Sequence, residues 1–292
     1  MSKKISELTA ASTPLAGTEL VEIVQGGTSK KVSASYIASA SGGRELLSAD
    51  RTYYVRTDGS DSNDGLADSS GGAFLTIQKS VDVICETLDT SIYTATCQIK
   101  DGTFTGAVTL KAHVGSLPYV IQGNATTPAN VHINVTGVCF TSSDNRVTAK
   151  IRNLKMTSTS LCVSSTAGVI ELAEGIEYGA ATNRHINAQY LGYVNITGNY
   201  TIGGGGQSHW VVGNGGKLRA VNRTITLTGT PAFSSGFAVA SDTAHIVCSG
   251  NTYSGSATGP RYSVTMNATI QSGATTLPGD SAGTTATGGQ YA

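Results

Sequence analysis

The sequence predicts an all-β protein that folds as a right-handed parallel β-helix, and a repeated phrase in residues 168–227 is the main reason. The phrase occurs three times, and each copy holds two short strands of alternating apolar and polar residues around a polar turn. A third short strand leads back from each copy to the next, so one repeat contains three strands. Equivalent apolar positions recur at a constant spacing, at Ile170, Val194 and Leu218.

A repeat of this length is typical of a coil that stacks on other coils. A single coil of three short strands cannot bury its apolar side, whereas coils stacked at the strand-pairing distance of about 4.8 Å form a continuous core. Leucine-rich repeats share the period, but their spacing of leucine and asparagine is missing here. Along the chain the predicted coils contain roughly 21 to 28 residues.

The composition fits this fold and argues against several classes of protein. Of 292 residues, 36 are glycine, 13% are charged and 39% are apolar, which is too apolar for a disordered chain. The formal net charge of zero disfavours a nucleic-acid binder, and no apolar run approaches the roughly 18 residues of a membrane span. The first residues lack the pattern of a secretory signal, so we expect folding in a cytoplasm. Five cysteines without paired or metal-like spacing are expected to be buried thiols: Cys85, Cys97, Cys139, Cys162 and Cys248.

Residues 1–43 form a separate amino-terminal unit. Residues 19–32 predict a β-hairpin around a glycine turn. The order of the phrases Lys4-Ile-Ser-Glu-Leu8, Gly17-Thr-Glu-Leu20, Val24-Gln-Gly-Gly27 and Lys30-Lys31 resembles the amino-terminal segment of bacteriophage tail fibre and tailspike proteins. The resemblance implies that this segment attaches the protein to the virion through a tail or baseplate protein.

Residues 44–258 are predicted to form the β-helix domain. They begin with a strand, a loop rich in Asp, Asn and Gly, a Phe74-Leu-Thr-Ile-Gln78 phrase and a short amphipathic helix. This order resembles the start of the β-helix in pectate-lyase-like proteins, phage tailspikes among them. Ile77, Val81 and Ile84 fall on one face of the helix, which we expect to cap the open end of the core.

The acidic loop between Asp58 and Asp64 raises the question of a calcium site. Its carboxylate and amide oxygens are ligands that calcium prefers, but the spacing lacks the terminal bidentate glutamate of an EF-hand. A solvated turn is therefore the favoured interpretation. We expect neither a metal nor a cofactor.

Residues 259–292 are predicted to be a carboxyl-terminal strand followed by a tail rich in Gly and Thr. The ending from Leu277-Pro-Gly to Gly-Gly-Gln-Tyr291 resembles the carboxyl terminus of short phage and prophage tail fibre proteins. A tyrosine at the end of a glycine-rich run suggests that the tail docks on a neighbouring chain of a trimer.

A polar column on the coils offers weak catalytic candidates. Stacking at the period of the repeat places Lys150, Glu171, Asn195 and Arg219 above one another. Glycoside cleavage requires two carboxyl groups about 5 to 9.5 Å apart. The densest acidic cluster is Glu171, Glu174 and Glu177, and no neighbouring coil adds an acid to its columns. A surface polar ladder is the favoured interpretation, and the acidic calcium ladder of pectate lyases is not matched.

The third strand of the coil predicts an association surface. One column holds Cys162, Ile186, Trp210 and Ala238, and because side chains alternate, its neighbours should point the other way. Whichever side faces outward is unusually apolar for a solvated surface, so we expect a homotrimer packed about a threefold axis. A metal bound by the two histidines is disfavoured because no third ligand is near. The trimer-interface candidates are Leu161, Val163, His185, His209, Val211, Phe237 and Val239.

Together these features predict a virion protein that is assembled in the host cytoplasm. The leading hypothesis is a homotrimeric phage tail fibre or tailspike protein that binds host-surface polysaccharide through exposed aromatic residues, with Tyr190, Tyr193 and Tyr253 as candidates. Tyr178 and Tyr200 fall on the core pattern instead.

Two other functions remain open. The first alternative is a tailspike depolymerase, a glycoside hydrolase or lyase acting on capsule or lipopolysaccharide, and scarce acids argue against it. A purely structural fibre segment is the third hypothesis. The fold is shared by all three, so it does not decide between them.

Overall fold

The computed structural model of the chain describes residues 20–34 and 43–292, and short β-strands dominate it. Within residues 43–292 the helical elements are α1 (Ile77–Thr87) and a 3₁₀ turn (Pro128–Asn130). The strands, numbered along the chain, are β1 (Leu20–Gln25), β2 (Thr28–Ser33), β3 (Glu45–Leu46), β4 (Arg51–Val55), β5 (Leu88–Asp89), β6 (Ala95–Ile99), β7 (Gly102–Phe104), β8 (Val108–Leu110), β9 (Tyr119–Gln122), β10 (Val131–Val135), β11 (Val138–Ser142), β12 (Thr148–Arg152), β13 (Leu154–Ser158), β14 (Leu161–Leu172), β15 (Ile176–Ala181), β16 (Arg184–Ile196), β17 (Tyr200–Ile202), β18 (Gly206–Gly213), β19 (Lys217–Ala220), β20 (Thr224–Leu227), β21 (Phe233–Ala240), β22 (His245–Val247), β23 (Thr252–Ser254), β24 (Tyr262–Val264), β25 (Thr269–Gln271), β26 (Thr284–Thr285) and β27 (Gln290–Tyr291).

These strands wind into a parallel β-solenoid of about eight turns, which confirms the predicted parallel β-helix. Each complete turn contributes one strand to each of three faces. Face C is the seven-stranded sheet β7, β10, β13, β15, β17, β20 and β23. Face A contains β8, β11, residues 161–165, residues 184–189, β18, β21, β24 and β26. Face B contains β4, β6, β9, β12, residues 168–172, residues 192–196, β19, β22, β25 and β27.

The predicted repeat sets the stacking on face B. Ile170 pairs with Val194, and Val194 pairs with Leu218, as the constant period requires. This column continues upward through Ile246 and Ile270, and every member is buried. Burying one such side chain contributes about 1.5 to 3 kcal/mol, so a column of them holds successive turns together.

Face A departs from the predicted columns by one residue. The structure pairs Val163 with Ile186, although Cys162 was expected there, so this pair falls one position short of the period. A bulge after Ser165 restores the predicted register on face B, because β16 carries one more residue than β14 at this corner. Above this point the expected pairs of Ile186 with Trp210, and of Trp210 with Ala238, are present.

The expected apolar outer stripe on face A is wrong for most of its members. Strict alternation of side chains does not hold near the start of these strands. The strand pairing skips one residue in each strand, and the column of skipped residues points into the core beside the neighbouring inward column. Four trimer-interface candidates therefore have no exposed surface within a single chain: Val163, His185, His209 and Phe237. Val211 is 8% exposed, and Leu161 and Val239 are half-buried.

The predicted helix α1 covers the core of the first turns. Ile77, Val81 and Ile84 are buried, as their helical spacing predicts, and the helix contacts β4, β6 and β8. The Thr76 hydroxyl caps it by accepting the backbone N–H of Lys79. The Asp61 carboxylate in turn accepts the Thr76 backbone N–H at 2.9 Å and its hydroxyl at 2.8 Å.

The acidic loop is a hydrogen-bonded turn. Arg56 pairs with Asp58 at 2.8 Å, Asp64 accepts the backbone N–H of Leu66, and the Asn63 amide donates to backbone carbonyls. Within residues 20–34 and 43–292, no group of three or more His, Cys, Asp or Glu side chains is arranged to hold a metal ion.

The described chain begins with a separate β-hairpin and ends with strands that belong to the solenoid. Strands β1 and β2 form the expected antiparallel hairpin, whose Gly26-Gly27 turn has positive φ angles of 62° and 75°, as a two-residue primed turn requires. The other amino-terminal phrases lie outside the described residues. Residues 262–291 continue the solenoid with β24 to β27, and Tyr291 stacks on Tyr262 of the same chain with ring centroids 3.8 Å apart.

All five cysteines are free and buried. No helix in the described part of the chain has the length and apolar character needed to cross a membrane.

Candidate functional site

A polar groove of about 670 Å³ lies along the outer side of face B, where five successive strands end and turn towards face C. The ends of β4, β6, β9, β12 and β14 each place polar side chains in it. A second depression of about 440 Å³ adjoins it and shares Lys100, Asp101 and Asn124. The groove is lined by Tyr54, Asp68, Gln98, Ile99, Lys100, Asp101, Gln122, Gly123, Asn124, Ala125, Arg152, Asn153 and Glu174.

One column of stacked side chains forms the floor of the groove. Strand register places Tyr54 beside Gln98, Gln98 beside Gln122, and Gln122 beside Arg152. Because successive turns are separated by the strand-pairing distance of about 4.8 Å, these side chains repeat at that interval along the solenoid axis. The column is therefore a ladder of planar polar groups with an aromatic ring at one end.

Hydrogen bonds fix the orientation of every polar rung. Arg152 Nε donates to Gln122 Oε1 at 2.8 Å, so that amide must present its nitrogen to the next rung. Gln122 Nε2 donates to Gln98 Oε1 at 2.6 Å, and Gln98 Nε2 donates to the Gly123 carbonyl at 3.0 Å. At the other end Arg152 Nη1 donates to Glu174 Oε1 at 2.9 Å. The rungs are thus held in place before any ligand arrives.

The carboxylates around the ladder are matched by donors. Asp68 lies between two cations, with Lys100 Nζ at 2.8 Å and Arg56 Nη1 at 3.0 Å. Asp101 accepts the side-chain amides of Asn124 at 2.8 Å and Asn130 at 3.0 Å.

These contacts keep all three carboxyl groups of the groove ionised. The hydrogen bond from Lys100 lowers the pKa of Asp68, and the amides of Asn124 and Asn130 lower the pKa of Asp101. For Glu174, partial burial raises the pKa, but its own backbone N–H and Arg152 outweigh that effect and leave the pKa below its usual range. A glycosidase acid needs a raised pKa so that it carries a proton to the leaving group. No carboxyl group of the groove meets that requirement.

Two of the three acidic candidates named from the sequence, Glu171 and Glu174, lie on the outer side of face B, and the third lies on face C. Glu171 is on the outer side of face B, where Lys150 Nζ lies 3.1 Å away and the Thr197 hydroxyl donates to it at 2.8 Å. Glu177 is on face C between Lys155 and Thr201, and only Glu174 borders the groove. The expected column of Lys150, Glu171, Asn195 and Arg219 is present in the strand register.

The three tyrosine candidates also lie apart from one another in the fold. Tyr190 is 59% exposed on the bulge between faces A and B, next to Leu191, which is 74% exposed. Tyr193 is half-buried on the outer side of face B. Tyr253 packs against the core with its ring edge-to-face on Phe237 at 5.8 Å. None of the three lines the groove.

The two histidines sit in the core as a hydrogen-bonded pair. Their Nδ1 atoms are 2.9 Å apart, His185 Nε2 is 2.9 Å from the Gly179 carbonyl, and the Tyr200 hydroxyl is 2.8 Å from His209 Nε2. A carbonyl only accepts, so His185 donates to Gly179 and accepts from His209, which in turn accepts from Tyr200. Every ring nitrogen is thereby used, and burial lowers the pKa of both imidazoles.

Sequence reasoning missed the ladder because the coil lengths vary at this end of the solenoid. Gln98 and Gln122 are 24 residues apart, but Gln122 and Arg152 are 30 apart, since the coil between them carries the longer segment that contains the 3₁₀ turn. The signal in the sequence is a polar residue at the end of each successive predicted strand, and it becomes visible only when the coils are allowed unequal lengths.

Comparison with known proteins gives no match for this chain, whether to a protein-family model, a curated protein or a solved structure.

Proposed function

We propose that this chain is a receptor-binding protein of a bacteriophage tail, and that the polar groove binds polysaccharide on the host surface without cleaving it. The observation that carries the proposal is the ladder of Gln98, Gln122 and Arg152, a row of oriented donors and acceptors bordered by carboxylates that remain ionised. The order of phrases in residues 1–43 and the carboxyl-terminal ending support the assignment to a phage tail.

The groove suits a sugar polymer for two reasons. Sugar hydroxyls both donate and accept hydrogen bonds, and the ladder offers amide oxygens as acceptors and amide and guanidinium N–H groups as donors at regular intervals. The groove also crosses successive turns, so a long chain is able to lie along the solenoid axis rather than enter a closed pocket.

The depolymerase remains the alternative, and the same groove argues against it. Cleavage by either common route needs a proton donor opposite a second carboxylate. The carboxyl groups of Asp68, Asp101 and Glu174 all have lowered pKa values. Glu171 and Glu177 stand on different faces and do not form a pair on one surface.

We further propose that three copies associate through face A and that the hairpin contacts a tail protein. The outward column of face A is uncharged: Thr141, Ser164, Asn187, Val211, Val239 and Ser263. Depletion of charge is typical of the centre of protein interfaces. The hairpin supports the second contact because it exposes Leu20, Val21 and Val24.

The test measures binding and cleavage on the same sample. Purified protein is incubated with a panel of bacterial surface polysaccharides, bound polymer is quantified, and new reducing ends are titrated over time. We expect retention of at least one polymer with no rise in reducing ends. Release of reducing ends that Glu171→Gln or Glu177→Gln abolishes would establish the depolymerase instead.

A further inference from the structure

We infer that the groove selects a neutral polysaccharide over an acidic one and holds it along the ladder. The inference rests on the proposed function, because it specifies which glycan that site takes. Three observations support it. The charged side chains of the groove are paired with each other, some N–H groups of the ladder have no partner within the described part of the chain, and Tyr54 lies at one end of the ladder.

The positive charges of the groove are already neutralised. Lys100 lies 2.8 Å from Asp68, and Arg152 lies 2.9 Å from Glu174. Asp101 adds a further carboxylate, so the lining holds three acids against two bases. A uronate or sialate would have to displace a protein carboxylate from its cation and then sit beside the displaced charge. A neutral sugar meets no such cost.

The ladder nevertheless keeps donors for a neutral ligand. Among the described residues, Arg152 uses Nε and Nη1 but has no partner for Nη2, and Gln122 Nε2 bonds only to Gln98. Gln122 and Arg152 are half-buried and both line the groove, and sugar hydroxyls and ring oxygens accept hydrogen bonds from such N–H groups. Each such bond to a neutral partner contributes about 0.5 to 1.5 kcal/mol, which favours repeated weak contacts along a polymer.

Tyr54 supplies the apolar part of the site. It heads the same column as Gln98 and is half-buried, so part of its ring faces the groove. An amphipathic ring in this position packs against the C–H face of a sugar while leaving its hydroxyl wet. The order along the axis is then one stacking position at Tyr54 followed, beyond Gln98, by two donor positions at Gln122 and Arg152.

The experiment compares retention of the full chain in native gels that contain neutral polymers (dextran, mannan, galactan) or acidic ones (polygalacturonate, hyaluronate), at low and at high ionic strength. We expect retention by at least one neutral polymer, unchanged by salt, and none by the acidic polymers. Gln122→Ala should weaken retention about tenfold, the loss expected for a missing hydrogen-bonding side chain. Gln271→Ala, which removes an exposed glutamine from the outer side of the same face, is the matched control and should change nothing.

A second variant tests the charge argument without disturbing the core. Glu174 is exposed, and Glu174→Gln removes the carboxylate that neutralises Arg152, so retention by polygalacturonate should appear and should fall with added salt.

Each other result counts against a particular part of the inference. Retention of the unmodified chain by acidic polymers alone, or no gain of polygalacturonate binding in Glu174→Gln, overturns neutral selectivity and leaves the proposed function standing. Equal effects of Gln122→Ala and Gln271→Ala overturn the ladder as the site. Retention by none of the polymers overturns the inference, and the proposed function then depends on the separate panel of bacterial surface polysaccharides.

Discussion

His185 and His209 were expected at a surface between chains, but the structure places them in the core. The period of the repeat places the two histidines among the trimer-interface candidates, whereas in the fold their Nδ1 atoms lie 2.9 Å apart in a fully buried chain of hydrogen bonds. The sequence does not reveal this, because their inward turn depends on a local break in strand alternation. Tyr200 was correctly expected in the core.

The buried pair predicts acid sensitivity below neutral pH. An unfolded histidine titrates near pH 6.5, but burial lowers the pKa of His185 to about 4. Between these values the unfolded chain binds a proton that the folded chain does not, so the free energy of unfolding falls as pH is lowered through this window. The loss for His185 is about 3 kcal/mol, and the lowered pKa of His209 adds to it.

Urea unfolding between pH 8 and pH 4.5 measures this effect. The double variant His185→Leu with His209→Leu should be less stable at pH 8 but should have a clearly shallower pH slope. It should retain some slope, because burial also lowers the pKa of His113 and His132. His245→Gln replaces an exposed histidine and is the control. An unchanged slope in the double variant contradicts the prediction.

At the scale of single elements, the acidic loop near the start of the solenoid holds the first residues of helix α1 in place. The loop resembled a calcium site by composition, yet Asp61 uses both carboxylate oxygens to hold the residues that begin α1. The helix itself was predictable from the spacing of Ile77, Val81 and Ile84, because helical periodicity is a local property. The hydrogen-bond partner of each loop carboxylate was not predictable from the sequence, because it depends on contacts between distant parts of the chain.

Asp61→Ala should therefore destabilise the protein by about 1 to 2 kcal/mol, since it removes three hydrogen bonds around the helix cap. Asp64→Ala is the matched control, because Asp64 accepts one backbone N–H, from Leu66, and should cost less than half as much. Chemical denaturation of both variants gives the comparison. Equal losses would show that Asp61 does not anchor the helix.

The face A strands show why register is harder to predict than fold. A constant period is enough to predict a solenoid, and it places the face B columns correctly. One coil falls a single position short of that period on face A and recovers at the bulge beside Tyr190, so the constant period misplaced Cys162 and Leu161. Bulges depend on cross-strand packing, which a single sequence does not display.

At the scale of the whole molecule, the distribution of charge separates face A from face B. Within its strands, face A has a single formally charged side chain, Arg184, which donates to Asn187 at 2.8 Å. Face B carries Lys150, Glu171 and Arg219 on its outer side. This asymmetry supports face A as the surface between copies, even though most of the apolar residues first expected there are internal.

The trimer prediction is tested by adding a charge to face A and, as a control, to face C. Val239→Glu places a carboxylate on the outward column of face A and should convert trimers into monomers at micromolar concentration, because an unpaired charge at an interface is costly. Thr226→Glu does the same on face C and should leave the trimer intact. Sedimentation equilibrium distinguishes the two outcomes. A stable monomer of the unmodified chain would overturn the prediction.

The stacking of Ile170, Val194 and Leu218 at a constant interval also bears on how such a molecule changes over evolutionary time. Each turn contacts mainly the turns directly below and above it. Duplication or loss of one complete circuit, such as residues 192–215, brings equivalent side chains back into contact and creates no new unpaired edge. The length of the protein is therefore free to change in whole turns.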